Sequence, residues 1–248
     1  MARFSYSRVG CFKSCPYQYY LRYIEGLKTI PNQDPDNALY LGTALHTGLE
    51  KNVDAAIKQY YSNYYCLSDK NVDEAIKLED LIPKANKLIP VGEHEIQIND
   101  FNFVGFIDLL VEVENGVYDM YDFKYSNAVD RYLQSPQLSI YKYFYEKTTG
   151  NKIRNMYFLF VPKTRIRQKR EETIHEFRKR LRETLSDMEP FIRQVDYDID
   201  KVVDFQNDIK EISGCTNFSK NTSSLCRYCD YESYCISGSV IDILPKEV

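Results

Sequence analysis

The stretch from Gly105 to Lys124 limits what this chain can fold into more than any other part. Gly105-Phe106-Ile107-Asp108 opens one apolar run, Tyr121-Asp122-Phe123-Lys124 closes another, and Glu114-Asn115-Gly116 lies between them. Asn-Gly between two β-prone runs predicts a hairpin. Side chains at i and i+2 of a strand share a face, so Asp122 and Lys124 point the same way. If Asp108 joins them, two carboxylates and an ammonium occupy one small volume. Like charges that close are costly unless a cation lies between them. Hard carboxylate oxygens suit Mg²⁺ or Mn²⁺, and the lysine can hold or help deprotonate a water. That combination can carry out metal-assisted phosphodiester hydrolysis.

Register decides whether the acids meet. A two-residue Asn-Gly loop pairs Glu114 with Val117 and therefore Asp108 with Phe123, on opposite faces. A three-residue loop, with Gly116 left-handed as a bulge, pairs Val113 with Val117 and sets Asp108 across from Asp122. The second register is expected, because it alone builds a site. The plainer alternative is a strand-end ion pair between Asp122 and Lys124.

Around this hairpin the chain alternates helices and strands. Helices are predicted over about 7–25, 38–61, 72–88 and 135–148, and then from the end of the basic run to about Val195 and over about 201–212. Strands are predicted over 93–98, 101–113, 117–124 and 152–161, with Asn99-Asp100 at a turn and Gly150 as a helix C-cap glycine. The fold class is α/β with a mixed central sheet and flanking helices. At 248 residues, the chain fits one large domain or one domain with an appendage. No apolar run is long enough to span a bilayer, and the start, MARFSYSRVGC, lacks the apolar core of a signal peptide. A cytoplasmic protein is expected. A net charge of −4 gives no global pull towards nucleic acid, but local runs differ. Lys163–Arg170 is the most basic run, either lining a groove for a phosphate backbone or solvated and balanced by Glu171 and Glu172.

Seven cysteines in a reducing compartment suggest metal or cluster ligation and not a disulfide framework. Cys226-x2-Cys229-x5-Cys235 can grip a metal from a tight turn, and a fourth ligand is needed. Cys215 would make a local site and favour zinc. Cys15, placed at a helix start by Pro16, would tie the two ends of the chain together. His46, on a predicted helix with Gly42 four residues before it, completes a metal site if that helix packs on the acid-bearing strands, and its nitrogen tilts preference towards Mn²⁺. Gln137 and Tyr141 share a helix face and can hold a phosphate or a water. Glu95 begins a neighbouring strand, as a helper ligand or as a solvent-facing residue.

Taken in order, Cys15-Pro16, Gly42…His46, Gly105…Asp108, Asp122…Lys124, Gln137…Tyr141 and Cys226, Cys229, Cys235 resemble the PD-(D/E)xK nuclease superfamily. The likeness is to its RecB-like branch with an iron–sulfur cluster, which includes CRISPR-associated RecB-like exonucleases and AddB-type subunits, and it spans nearly the whole chain. The resemblance implies a restriction-endonuclease-like core over about 38–195 within a single domain, 1–248. It also implies an iron–sulfur module from about 5–25 with 213–238. By that likeness Cys15, Cys226, Cys229 and Cys235 hold a structural 4Fe–4S cluster, with Cys11 and Cys215 as rivals to Cys15. His46, Asp108, Asp122 and the Phe123 carbonyl bind Mg²⁺ or Mn²⁺, Lys124 positions the water, and Gln137 and Tyr141 contact DNA or the scissile phosphate. The implied activity is a metal-dependent DNA exonuclease on single strands or duplex ends. The alternative is an inactive nuclease-fold DNA-binding subunit. There is no Walker A motif, so any helicase or recombination partner is a separate protein. An oligomer is compatible with the sequence.

Overall fold

The computed structural model describes residues 3–244, which form two compact units. One comprises Gln33–Ile98 and Phe106–Tyr197. The other comprises the chain up to Asn32, Asn99–Gly105 and everything from Asp198.

The larger unit holds most of a five-stranded sheet in the order β1 (Glu93–Asn99), β2 (Val104–Glu114), β3 (Val117–Tyr125), β4 (Lys152–Val161), β5 (Phe191–Val195). β2 and β3 are antiparallel, β3 and β4 parallel, β4 and β5 antiparallel, so the sheet is mixed as expected. The parallel step needs a crossover, and two helices supply it: α6 (Val129–Leu133) and α7 (Gln137–Thr149). Helices α3 (Ala38–Glu50), α4 (Val53–Tyr61), α5 (Asp69–Asn86) and α8 (Ile174–Ser186) share a buried cluster with the sheet, among them Leu41, Leu45, Leu81, Phe123, Leu159 and Leu181. Gly92 leaves no room for a Cβ against the Leu110 carbonyl, which lets the chain entering β1 lie close against β2.

The hairpin register at the acids is the expected one, reached by a different turn. Leu109 faces Tyr121 and Leu110 faces Met120, a register that, carried one residue further, sets Asp108 across from Asp122. The loop itself has two residues, since Glu114 pairs with Val117. The additional residue sits one step earlier, in a bulge at Val113. Gly116 is left-handed as expected, φ +71°, and its amide is held by the Glu112 carboxylate.

Three expected helices end differently. The first is interrupted at Cys15, whose backbone is extended, because proline at position 16 disfavours helical geometry in the residue before it. It divides into α1 (Tyr6–Ser14) and α2 (Pro16–Tyr19), which runs on into a π-helical turn over Tyr20–Ile24. The helix expected over 38–61 breaks before Asn52, whose side chain caps the Ala55 amide and starts α4. The helix expected to reach Val195 stops at Ser186. Pro190 follows, and Phe191–Val195 then adds β5 to the sheet edge.

The smaller unit gathers α1, α2, α9 (Ile199–Gly214) and α10 (Glu232–Ser237). Phe4 bridges to Phe103, and Phe103 packs edge-on against Phe205 at 5.8 Å. Phe12, Tyr19 and Tyr20 surround Phe218. Among the described residues, no helix is long and apolar enough to cross a membrane.

Candidate active site

β2 and β3 bring Asp108 and Asp122 to the same end of the larger unit's sheet, and both carboxylates are buried. Asp108 Oδ2 accepts the Phe123 amide at 2.6 Å. Asp122 Oδ1 accepts from Gln137 Nε2 at 2.8 Å, which ties the first turn of α7 to β3. Lys124 Nζ lies 2.5 Å from Asp122 Oδ2, a buried ion pair that leaves this oxygen with the lysine as its partner. The lysine stem runs beside aromatic rings, with Nζ 5.3 Å from the centre of Tyr132 and 5.7 Å from that of Phe158.

His46 reaches this cluster from α3. Its Nδ1 is 3.4 Å from Asp108 Oδ1, and its Nε2 is 3.1 Å from the Phe123 carbonyl. Both ring nitrogens therefore face oxygen acceptors, although a neutral imidazole carries only one N–H. Glu95 Oε1 lies 4.0 Å from the same Nδ1. One ligand atom each from His46, Glu95 and Asp108 falls within 4.8 Å of the others, a spacing that suits one cation. Glu95 has a left-handed backbone, φ +55°, within a strand. For a non-glycine residue that strain costs about 1–3 kcal/mol and clusters at functional sites.

Burial and neighbouring charge set the electrostatics. Burial works against the charged His46 ring, but Asp108, then Asp122 and the Phe123 carbonyl, outweigh it and raise its pKa to about 9. Burial pushes Asp122 up to about 6 against the pull of Lys124, with Asp108 adding to the rise. Burial also opposes the Lys124 ammonium, yet Asp122 and Asp108 hold its pKa above the ordinary lysine value. With two acids to one lysine, the ammonium is kept and the second carboxylate resists ionisation. Glu95 is raised by burial and by Asp108. The cluster is thus short of positive charge.

His46, Asp108, the Phe123 backbone, Asp122, Lys124 and Gln137 are in one connected set of contacts. Tyr141 follows one turn along α7, half-buried. Sequence reasoning missed two neighbours. His94 has its ring 6.1 Å from that of Phe123, and Tyr132 flanks Lys124 from a short helix with too little periodicity to be seen in advance.

In the smaller unit, Cys15, Cys226, Cys229 and Cys235 together line one cavity of about 300 Å³. The Asn221 amide donates to Cys15 Sγ at 3.5 Å and the Ser223 amide to Cys226 Sγ at 3.4 Å. Cys215 turns its thiol to the Asn217 carbonyl, 3.3 Å away.

Carboxylates from two adjoining strands of a mixed sheet, an ammonium two residues past the second acid and an imidazole from a flanking helix define a nuclease fold with an acidic site able to take a divalent ion. A family model of the PD-(D/E)XK nuclease superfamily matches residues 3–236, and the chain belongs to that superfamily of divalent-metal hydrolases. No curated protein matches the chain in sequence. A crystal structure from Eubacterium rectale, of a protein provisionally designated an exonuclease, is similar with a TM-score of 0.57. The two share 13% identity over 99% of this chain and 90% of that one, a likeness of fold.

Proposed function

We propose that this protein is a Mg²⁺- or Mn²⁺-dependent deoxyribonuclease of the RecB-like, iron–sulfur branch, acting as an exonuclease on single-stranded DNA or duplex ends in the cytoplasm. The observation that carries the reading is the crowding of acids: ligand atoms of His46, Glu95 and Asp108 lie within 4.8 Å of one another, beside the buried Asp122, which burial and Asp108 make hard to ionise. A divalent cation would relieve the repulsion between these carboxylates and take the place of the protons they and His46 otherwise hold. His46, Asp108, Asp122 and the Phe123 carbonyl would hold it, and the spacing of Glu95 supports a further contact. When bound, such an ion supplies Lewis-acid stabilisation of phosphoryl charge and a more acidic water. Lys124, anchored on Asp122, is placed to orient the attacking water. Gln137 fixes the rotamer of Asp122, and Tyr141 on the same helix face contacts the DNA. The exonuclease designation of the Eubacterium rectale fold relative supports the choice of exo- over endonuclease.

For the smaller unit the reading is a 4Fe–4S cluster on Cys15, Cys226, Cys229 and Cys235, forming a module from about 5–25 with 213–238. Cys15, Cys226, Cys229 and Cys235 all line one cavity of about 300 Å³, which supports four sulfurs converging on one group. Backbone N–H groups aimed at sulfur, at Cys15 and Cys226, match the hydrogen bonds that cluster sulfurs accept.

The direct test is digestion of end-labelled single- and double-stranded oligonucleotides with Mn²⁺ or Mg²⁺, against EDTA. Progressive loss from an end is expected with either metal. Intact, merely bound DNA would mean an inactive adaptor.

The metal also has a signature in stability. His46 has a folded pKa of about 9, above the ~6.5 of an unfolded chain. Its contribution is complete below pH 6.5 and is lost as pH rises through 9. Asp122, at about 6 against ~3.9 unfolded, is likewise better accommodated protonated, and its contribution is lost between about pH 4 and 6. An ion replacing these protons reverses the trend. Mn²⁺ is therefore expected to raise Tm little at pH 6 and clearly more at pH 8, relative to EDTA. A Tm increment independent of pH would contradict ligation by His46.

A further inference from the structure

A cleft of about 1130 Å³ opens in the larger unit beyond the carboxyl ends of parallel strands β3 and β4. One wall, Tyr125–Ala128, starts at the residue after Lys124, and another is the basic loop that follows β4. The crevice outside strand carboxyl ends is where open α/β sheets take their ligands. Asn127 clasps the two walls, its side chain donating to the Lys163 carbonyl and accepting the Lys163 amide, each at 2.8 Å.

The charges of this cleft sort unequally. Asp73 is paired with Arg178 at 2.9 Å, and Glu74 with Lys77 at 2.5 Å. Glu172, an expected counter-charge for the basic loop, is taken by Arg180 at 2.7 Å. That leaves Lys70, Lys163, Arg165 and Arg167 lining the cleft without an ion pair among the described residues. The Lys163 ammonium instead rests 4.7 Å over the Tyr125 ring. Against these four cations stand Asp34 and Asp36. No residue of the acidic site lines this cleft, and Tyr125 faces the opposite side of β3 from Asp122 and Lys124, so a strand held here would reach the catalytic groups around the end of β3. Positive side chains left unneutralised at that strand end suit substrate phosphates.

The volume narrows the substrate. It exceeds the ~300–1,000 Å³ of a typical small-molecule pocket, so a polymer segment fits better than a lone nucleotide. Cations stand on two sides of the cleft, Lys70 on α5 and Lys163, Arg165 and Arg167 on the loop after β4, so a single strand lying between them meets positive charge from both. We infer that this cleft is the track of a single DNA strand running to or from the catalytic groups, with Arg165, Arg167, Lys163 and Lys70 on its phosphates. The inference rests on the nuclease reading above and commits it to single-stranded DNA at the site.

The test uses an Arg165→Ala/Arg167→Ala double variant of the full chain, both residues being exposed on a loop. Binding of a fluorescent oligonucleotide is titrated in Ca²⁺ at several salt concentrations. Hydrolysis is followed with Mn²⁺ on the same oligonucleotide and on bis(p-nitrophenyl) phosphate, which is too small to need the cleft. For single strands the slope of log affinity against log salt should fall in magnitude by about 1.4, ~0.7 for each lost phosphate contact. KM for the oligonucleotide should rise at least tenfold while turnover of the small diester holds. An unchanged salt slope in a variant that melts like the parent overturns the track. So does an equal loss of affinity for blunt duplex. If the parent protein cleaves neither substrate, the nuclease reading has failed, and the binding titration still decides whether a strand lies in the cleft.

Discussion

Lys124→Met is expected to lower Mn²⁺-dependent cleavage of single-stranded DNA by about 10²–10⁴-fold, the range for losing a positioned proton-handling group. Asp108→Asn is expected to cost about 10³-fold. Both substitutions preserve local packing. Methionine keeps the stem between Tyr132 and Phe158, and an asparagine oxygen still accepts the Phe123 amide that Asp108 holds now. Loss of activity should therefore come with near-parental melting. The variants separate two roles for Lys124. If the ammonium only keeps the buried Asp122 ionised, then its removal pushes an already raised pKa higher, and higher pH or more Mn²⁺ restores the rate. If it orients the water, kcat stays low at saturating Mn²⁺ and pH 8.5. The second result is expected, because its pKa, held up by two acids, keeps Lys124 a hydrogen-bond donor throughout that range. Retention of a tenth or more of activity by both variants would remove these residues from the chemistry.

The acids, lysine, histidine and glutamine of this site were legible because each sits in a strong local signal. The Asn-Gly turn fixes the hairpin, i/i+2 alternation pairs Asp122 with Lys124, and an apolar helix presents His46. Even so, the register at Asp108 came out as expected by a route the sequence did not specify. One residue of slack is needed, and a bulge at Val113 absorbs it as well as a longer loop would. Periodicity does not distinguish those two solutions.

What stayed hidden is governed by tertiary contact. Strand β5 has five residues, and its pairing with β4 cannot be read from Phe191–Val195 alone. Glu95 looked equally like a solvent-facing strand residue. Only its left-handed backbone and the 4.0 Å approach to His46 bring it to the site. The basic loop was ambiguous for a related reason. Charges adjacent in sequence need not be partners in space, and Arg180, from a helix eight residues on, claims Glu172 and leaves the cleft-lining arginines unpaired.

The largest stability change is expected at Cys15. If a cluster bridges Cys15 to Cys226, it closes a loop of more than two hundred residues, which on the chain-entropy argument stabilises the folded state by about 5 kcal/mol. Cys15→Ala should then lower Tm by about 10–20 °C for a chain of this length, with loss of the brown charge-transfer absorbance in anaerobically purified protein. Cys215→Ala is the matched control. Its thiol donates to the Asn217 carbonyl and is absent from the cavity that the other four cysteines line, so colour and Tm should stay near parental values. Cys11 lies one helical turn before Cys15, with burial raising its thiol pKa, and also lies outside that lining. Cys11→Ala should likewise keep the cluster. A colourless parent containing one equivalent of zinc would replace the cluster with a d¹⁰ ion. A Cys215→Ala protein as destabilised as Cys15→Ala would move the fourth ligand to the local position and remove the long-loop closure altogether.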